Sequence, residues 1–307
     1  MYKITGDTRY RDAAIACANE LAANIRTGTS SVSPWPYRVN AQTGAVVENY
    51  SAHVISAIQL FDELIRLNLG NVASYTTART ATWNWLIANP MANGRWTQYF
   101  EDVPIQTNQF TNLNQYAPGQ TAIYMLQNQS KDASWKAHVE TLSDFIVDNF
   151  GNDDYGDLGM YRGARTISEQ VEYKYKMASH TSRFGAMMAL YAAATGDAAA
   201  KDTAYRSLNW ATYMARNNGS VNEGPAEFAH DSALWFTDGH GDYVRHFMIA
   251  MGAFPEWAPS TENHIVHSTS VVKTAQYTAT AVTWQTFDAS STETLRLAKA
   301  PASVSLG

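Results

Sequence analysis

Carboxylates and aromatic rings crowd into a few stretches of this chain that read as loops. The acids include Glu101, Asp102, Asp153, Asp154, Asp157, Glu169, Glu172, Glu223, Glu227, Asp231, Asp238 and Asp242; interleaved with them are Trp35, Tyr37, Trp96, Tyr99, Phe100, Tyr155, Tyr161, Trp235 and Phe236. Glycoside hydrolysis needs two carboxyl groups flanking the scissile bond, one protonated and one ionised. Apolar, aromatic walls raise one carboxyl pKa enough to keep its proton near neutral pH. Asp102, Glu169 and Asp238 are the acids expected to carry such chemistry. The flat faces of Trp35, Tyr37, Trp96 and Trp235 suit sugar rings, with Tyr99, Tyr175 and Asp242 as further binding groups. Arg38, His180, Arg183 and His240 suit hydroxyl or carboxylate groups.

Two stretches are denser than the rest. In the run from Ser168 to Gly185, helical spacing places Glu169, Glu172, Lys176, His180 and Arg183 near one stripe, expected to form a buried, mutually neutralising network. That run also holds the parts of a different reaction. Tyr175 or His180 could abstract a proton beside a uronate carboxylate that Arg183 neutralises. In the run from Trp235 to His246, Gly239 and Gly241 flank His240, and Asp238 and Asp242 frame it. A metal held by Asp238, His240, Asp242 and His246 is conceivable, but no His-Glu-x-x-His spacing is present, and the expectation is neither metal nor cofactor. Neither a Gly-x-Ser-x-Gly elbow nor a phosphate-binding P-loop occurs.

Composition narrows the partners. A net charge of -6 with only 16% charged residues argues against nucleic acid, which calls for a basic stripe. The wealth of Asn, Gln, Ser, Thr, Tyr and Trp suits an uncharged, hydroxylated ligand, and an oligo- or polysaccharide is the expected partner. Cys17, the only cysteine, lies in an Ala-rich run and reads as a small core residue. Nowhere do 18 consecutive apolar residues occur, so no membrane partner is expected and a soluble protein is the default. The start, from Met1 to Asp7, lacks the apolar stretch of a signal peptide; a natural protein with a leader upstream would be secreted or periplasmic.

The elements that must position these groups recur with a period of roughly 60 residues, the mark of a helical repeat. Four times a turn-like start (Thr5-Gly6-Asp7, Leu69-Gly70-Asn71, Ser130-Lys131-Asp132, Thr195-Gly196-Asp197) announces a helix, a long loop and a second helix. The periodicity predicts helices over 10–26 and 47–67, 74–88 and 114–127, 133–149 and 168–194, and 201–216 and 242–251. Connections between repeats are short, whereas those within a repeat are long and hold the unusual side chains. After Pro259 come short β-branched and aromatic runs at 270–273, 280–287 and 293–297, read as strands. The expected division is an all-helical domain over 1–259 and a β segment over 260–307, either a cap or the start of a β domain.

From about Thr5 to Pro259 the chain resembles the α/α-toroid carbohydrate-active enzymes, which include glycoside hydrolases and polysaccharide lyases built on rings of helix hairpins, often followed by a β domain. The resemblance is architectural and carries no residue role over. It implies a mainly α fold, an α/α toroid with a small C-terminal β element, whose long loops would share one funnel. Such rings commonly have six hairpins and four are readable here, so the expectation is an incomplete ring or further hairpins lost upstream of Met1, with the site an open groove or half of one completed by a second copy in a homo-oligomer. A glycoside hydrolase is the leading expectation, a uronate-specific lyase the second, and a non-catalytic glycan-binding or scaffold protein the third.

Overall fold

The computed structural model describes residues 1–97, 112–152, 163–168, 171, 177–215, 217, 219, 221 and 240–305, with the side chains of 152 and 240–242 outside that description. The fold is mainly helical, with small antiparallel sheets. A short α1 (Tyr2–Thr5) precedes α2 (Thr8–Ala23); then come α3 (Ile55–Arg66), α4 (Val72–Leu86), α5 (Tyr116–Gln127), α6 (Trp135–Phe150), α7 (Ala178–Thr195), α8 (Ala198–Thr212) and α9 (His240–Ala253).

The helices form two layers. In the central row α3 packs on α5, α5 on α7 and α7 on α9, while α2 and α4 flank α3, α6 flanks α5 and α8 flanks α7. Burial follows this division. All of α5 from Ala117 to Leu126 is buried, as is most of α7, whereas α6 buries only Val139, Leu142, Ile146 and Phe150, one stripe at helical spacing. The main core joins Ile55 and Ile58 of α3, Ile123 and Met125 of α5, Leu142 and Ile146 of α6 and Phe184 and Met187 of α7. Cys17 falls outside the buried stripe of α2, which is centred on Ala18, and is exposed; the expectation of a core cysteine is thereby corrected.

Three of the four repeat starts share one turn. Gly6, Gly70 and Gly196 sit at φ 72, 70 and 77, the left-handed conformation that lacks a Cβ penalty only for glycine. The residue after each caps the next helix: Asp7 accepts from the Arg9 N–H, Asn71 from Ser74, and Asp197 from both Ala199 and Ala200. Stop and start signals are thus fused into a two-residue step.

Two expected helices begin later than their periodicity suggests. The segment from Val47 does not enter α3 directly: β2 (Val46–Glu48) pairs antiparallel with β1 (Arg38–Val39) around an Asn40 side-chain turn and Gly44 at φ 70. Ser168 is likewise no helix start. It is buried in extended chain, its N–H bound to the Phe150 carbonyl, beside β4 (Thr166–Ile167), which pairs with β3 (Gly151–Asn152).

The C-terminal strands appear close to where the β-branched runs lie, with one more upstream. β5 (His264–Ser268) pairs with β8 (Glu293–Arg296), and β6 (Val272–Tyr277) with β7 (Val282–Thr286). The ribbon doubles back on itself, so that the Tyr277 ring returns to within 6.2 Å of His264 and Asn263 Nδ2 donates to the Thr278 carbonyl.

Candidate functional site

Each central helix α3, α5 and α7 begins at the end of a long connection and finishes in a short one, so their first turns share one end of the molecule. Backbone links stitch that end together. The Ala52 N–H donates to the Thr97 carbonyl at 3.0 Å, Asn114 N–H to the Trp96 carbonyl at 2.7 Å, and Thr97 bridges Leu113. The Asn114 side chain then caps α5, accepting from the N–H groups of Tyr116 and Ala117. On α7, the Thr181 hydroxyl accepts from the Ile167 N–H, anchoring the first turn to β4.

On this frame the first turns bring His53, Gln115, Tyr116, His180 and Arg183 into one cluster. The Arg183 guanidinium lies 4.5 Å from the Tyr116 ring centroid and donates to Gln115 Oε1 at 3.1 Å. The His53 ring meets Tyr116 edge-on at 5.0 Å. Arg183 Nη1 also approaches His180 Nδ1 at 3.3 Å; because arginine only donates, Nδ1 is the acceptor and the His180 ring proton belongs on Nε2. Gly119 makes the arrangement possible. A Cβ there would come within 3.2 Å of Arg183 Cδ, so its absence admits the arginine stem between α5 and α7.

Arg183 is 2% exposed, and a buried cation must be compensated by hydrogen bonds and π faces. Its field reaches His53. Burial, and then the Arg183 charge, hold the His53 imidazole below its usual pKa, in the neutral form that can accept a proton at neutral pH. His53 is positioned by Ser51, whose hydroxyl accepts its backbone N–H, and by Ser56, whose hydroxyl lies 3.3 Å from Nε2. A fixed cation, two imidazoles and three helix N-termini make an environment suited to negative charge.

Of the residues singled out in the sequence, the structure brings His180 and Arg183 together. Trp96 is 1% exposed within the main core and offers no face to a ligand, which corrects its assignment as a sugar platform. Trp35 is half-buried against Phe61 with its indole N–H spent on the Leu21 carbonyl at 2.8 Å, and it also serves packing. Tyr37 is 40% exposed. Arg38 pairs across the β1–β2 hairpin with the buried carboxylate of Glu48, which occupies the group expected to meet ligand. This hairpin region adjoins the cluster through Ser33, whose hydroxyl accepts the Ser51 N–H at 3.1 Å.

Tyr99, Asp102, Glu169, Tyr175, Trp235 and Asp238 lie outside the described residues, as do the side chains of His240 and Asp242 in the first turn of α9. Of the four groups considered for a metal, only His246 is described, buried on α9; among the described residues no three His, Cys, Asp or Glu side chains gather to hold an ion. Among them too, no helix is long and apolar enough to cross a membrane. His53, Gln115 and Tyr116 were not legible as site residues. Their one signal was position, at the loop-facing start of a central helix, and the β1–β2 hairpin hid it for His53.

No family model and no curated protein matches the chain. Among solved structures it is similar to the crystal structure of D-mannose isomerase, at 9% identity over 81% of this chain and 82% of that one, with a TM-score of 0.37. A likeness of that size defines neither ring closure nor an activity.

Proposed function

We propose that this protein is a carbohydrate-processing enzyme whose helix pairs form an arc of an α/α toroid, with its site at the end where the long connections emerge. The observation that carries the reading is the Arg183 guanidinium set over Tyr116, with His53 and His180 beside it, at the shared start of α3, α5 and α7. Such a group favours proton transfer on an acidic sugar. Arg183 would neutralise a uronate carboxylate and so acidify the adjacent C–H; the neutral imidazole of His53 would accept that proton. The electron pair left on carbon forms a C=C bond as the neighbouring C–O bond breaks, and the departing oxygen takes up a proton.

A second reading keeps glycoside hydrolysis by a carboxyl pair. Its support is that Asp102, Glu169 and Asp238 lie in sequence between described residues at the same end of the molecule. One screen separates the readings: uronate polymers and chromogenic glycosides, followed for an unsaturated, ultraviolet-absorbing product and for new reducing ends. Unsaturated product lost in Arg183→Lys and His53→Ala supports elimination. Reducing ends without unsaturation, lost in Asp102→Asn, Glu169→Gln or Asp238→Asn, support hydrolysis. Sugar binding without turnover would replace both with a glycan-binding role.

A further inference from the structure

The doubled ribbon β5–β8 has little core of its own. Val266 is its only fully buried strand hydrophobe among the described residues, and a two-stranded sheet is marginal in water without a surface to pack on. It finds two such surfaces, at opposite ends of the helix row. At the last pair, β5 packs on α9 and β8 on the Pro255–Trp257 turn, so closely that a Cβ on Gly252 would sit 3.0 Å from the Val266 carbonyl. That turn is itself tied to α8, where Lys201 pairs with Glu256 at 2.7 Å and lies 4.0 Å from the Phe254 ring centroid.

At the first pair, β6 packs on α1, and the Phe287 ring meets Tyr2 edge-on at 5.9 Å. Asp288, held by the Ser270 hydroxyl at 2.6 Å, reaches Arg66 in the last turn of α3 at 2.7 Å, while Lys3 of α1 pairs with Glu63 of α3 at 2.9 Å. These anchors, the last turns of α3 and α9 and the helix preceding α2, all belong to the end with the short turns, opposite His53 and Arg183.

We propose that the C-terminal ribbon is a clasp that couples the first described helix pair to the last. A clasp transmits strain both ways, which an appended domain resting on one end does not. Hydrogen exchange of the full chain reads this directly. Phe287→Ala, which loosens the first anchor, is expected to speed exchange about tenfold in α1 and also in the last turn of α9 and the Pro255–Trp257 turn, with α5 unchanged. Gly252→Ala, which wedges β5 off α9, is expected to do the reverse, raising exchange in α1. Should Phe287→Ala not fold, Asp288→Asn removes only the charge and is expected to give the same two-ended pattern at about threefold. Exchange that rises only at the anchor each substitution touches, or a rise at neither end in Asp288→Asn, would overturn the clasp.

Discussion

At the scale of single residues, the site depends on Arg183 more than on any other described group. Lysine keeps the charge but loses the planar guanidinium, whose Nη1 serves both Gln115 and His180 while its plane lies over the Tyr116 ring. Arg183→Lys is therefore expected to lower kcat/KM by about 100-fold on the substrate found by screening, the cost of removing one oriented donor, with the fold retained by circular dichroism. Trp96→Ala should behave oppositely, destabilising the fold by about 3–5 kcal/mol in denaturant titrations, because the ring is a core element. Residue type alone drew attention to both. An arginine on an expected inner helix and a tryptophan in a long loop look equally suited to a ligand, and only burial tells a packing indole from a binding one.

Among the elements, the repeat turns were the most legible part of the chain. Gly-Asp and Gly-Asn encode a left-handed stop and a side-chain cap, both set by local chemistry within three residues. Asp197→Ala should cost about 1 kcal/mol, read as a lower thermal midpoint, since two α8 N–H groups lose their acceptor. Gly70→Ala should cost more, roughly 2 kcal/mol, through a disfavoured positive φ and a Cβ placed 2.4 Å from the Tyr75 hydroxyl. Helix starts after long loops were read less well. Val46–Glu48 pairs back on Arg38–Val39 and Thr166–Ile167 on Gly151–Asn152, and such pairing leaves no trace in helical periodicity.

For the whole molecule, acid should loosen the ribbon's two anchors. The Ser270 hydroxyl and then Arg66 hold Asp288 below its ordinary pKa; Ser291 does the same for Glu293, and Lys201 for Glu256. Carboxyls depressed in the folded state contribute stability above their unfolded pKa, and that stability is lost as pH falls through the lower folded values. Exchange at α1, the ribbon and the Pro255–Trp257 turn is therefore expected to rise below about pH 4, and Asp288→Asn to flatten that rise.

The sequence by itself determined the helix pairs, the fused turns, the rhythm of short and long connections and the change to strands after Pro259. All of these follow from local periodicity, capping and β-branched content. Tertiary structure alone decided that Trp96 is core, that Arg38 is engaged by Glu48, that His53 and Tyr116 join Arg183, and that the ribbon touches both ends of the row. Those are contacts between residues from ten to nearly three hundred positions apart, chosen by packing, to which local chemistry carries no address.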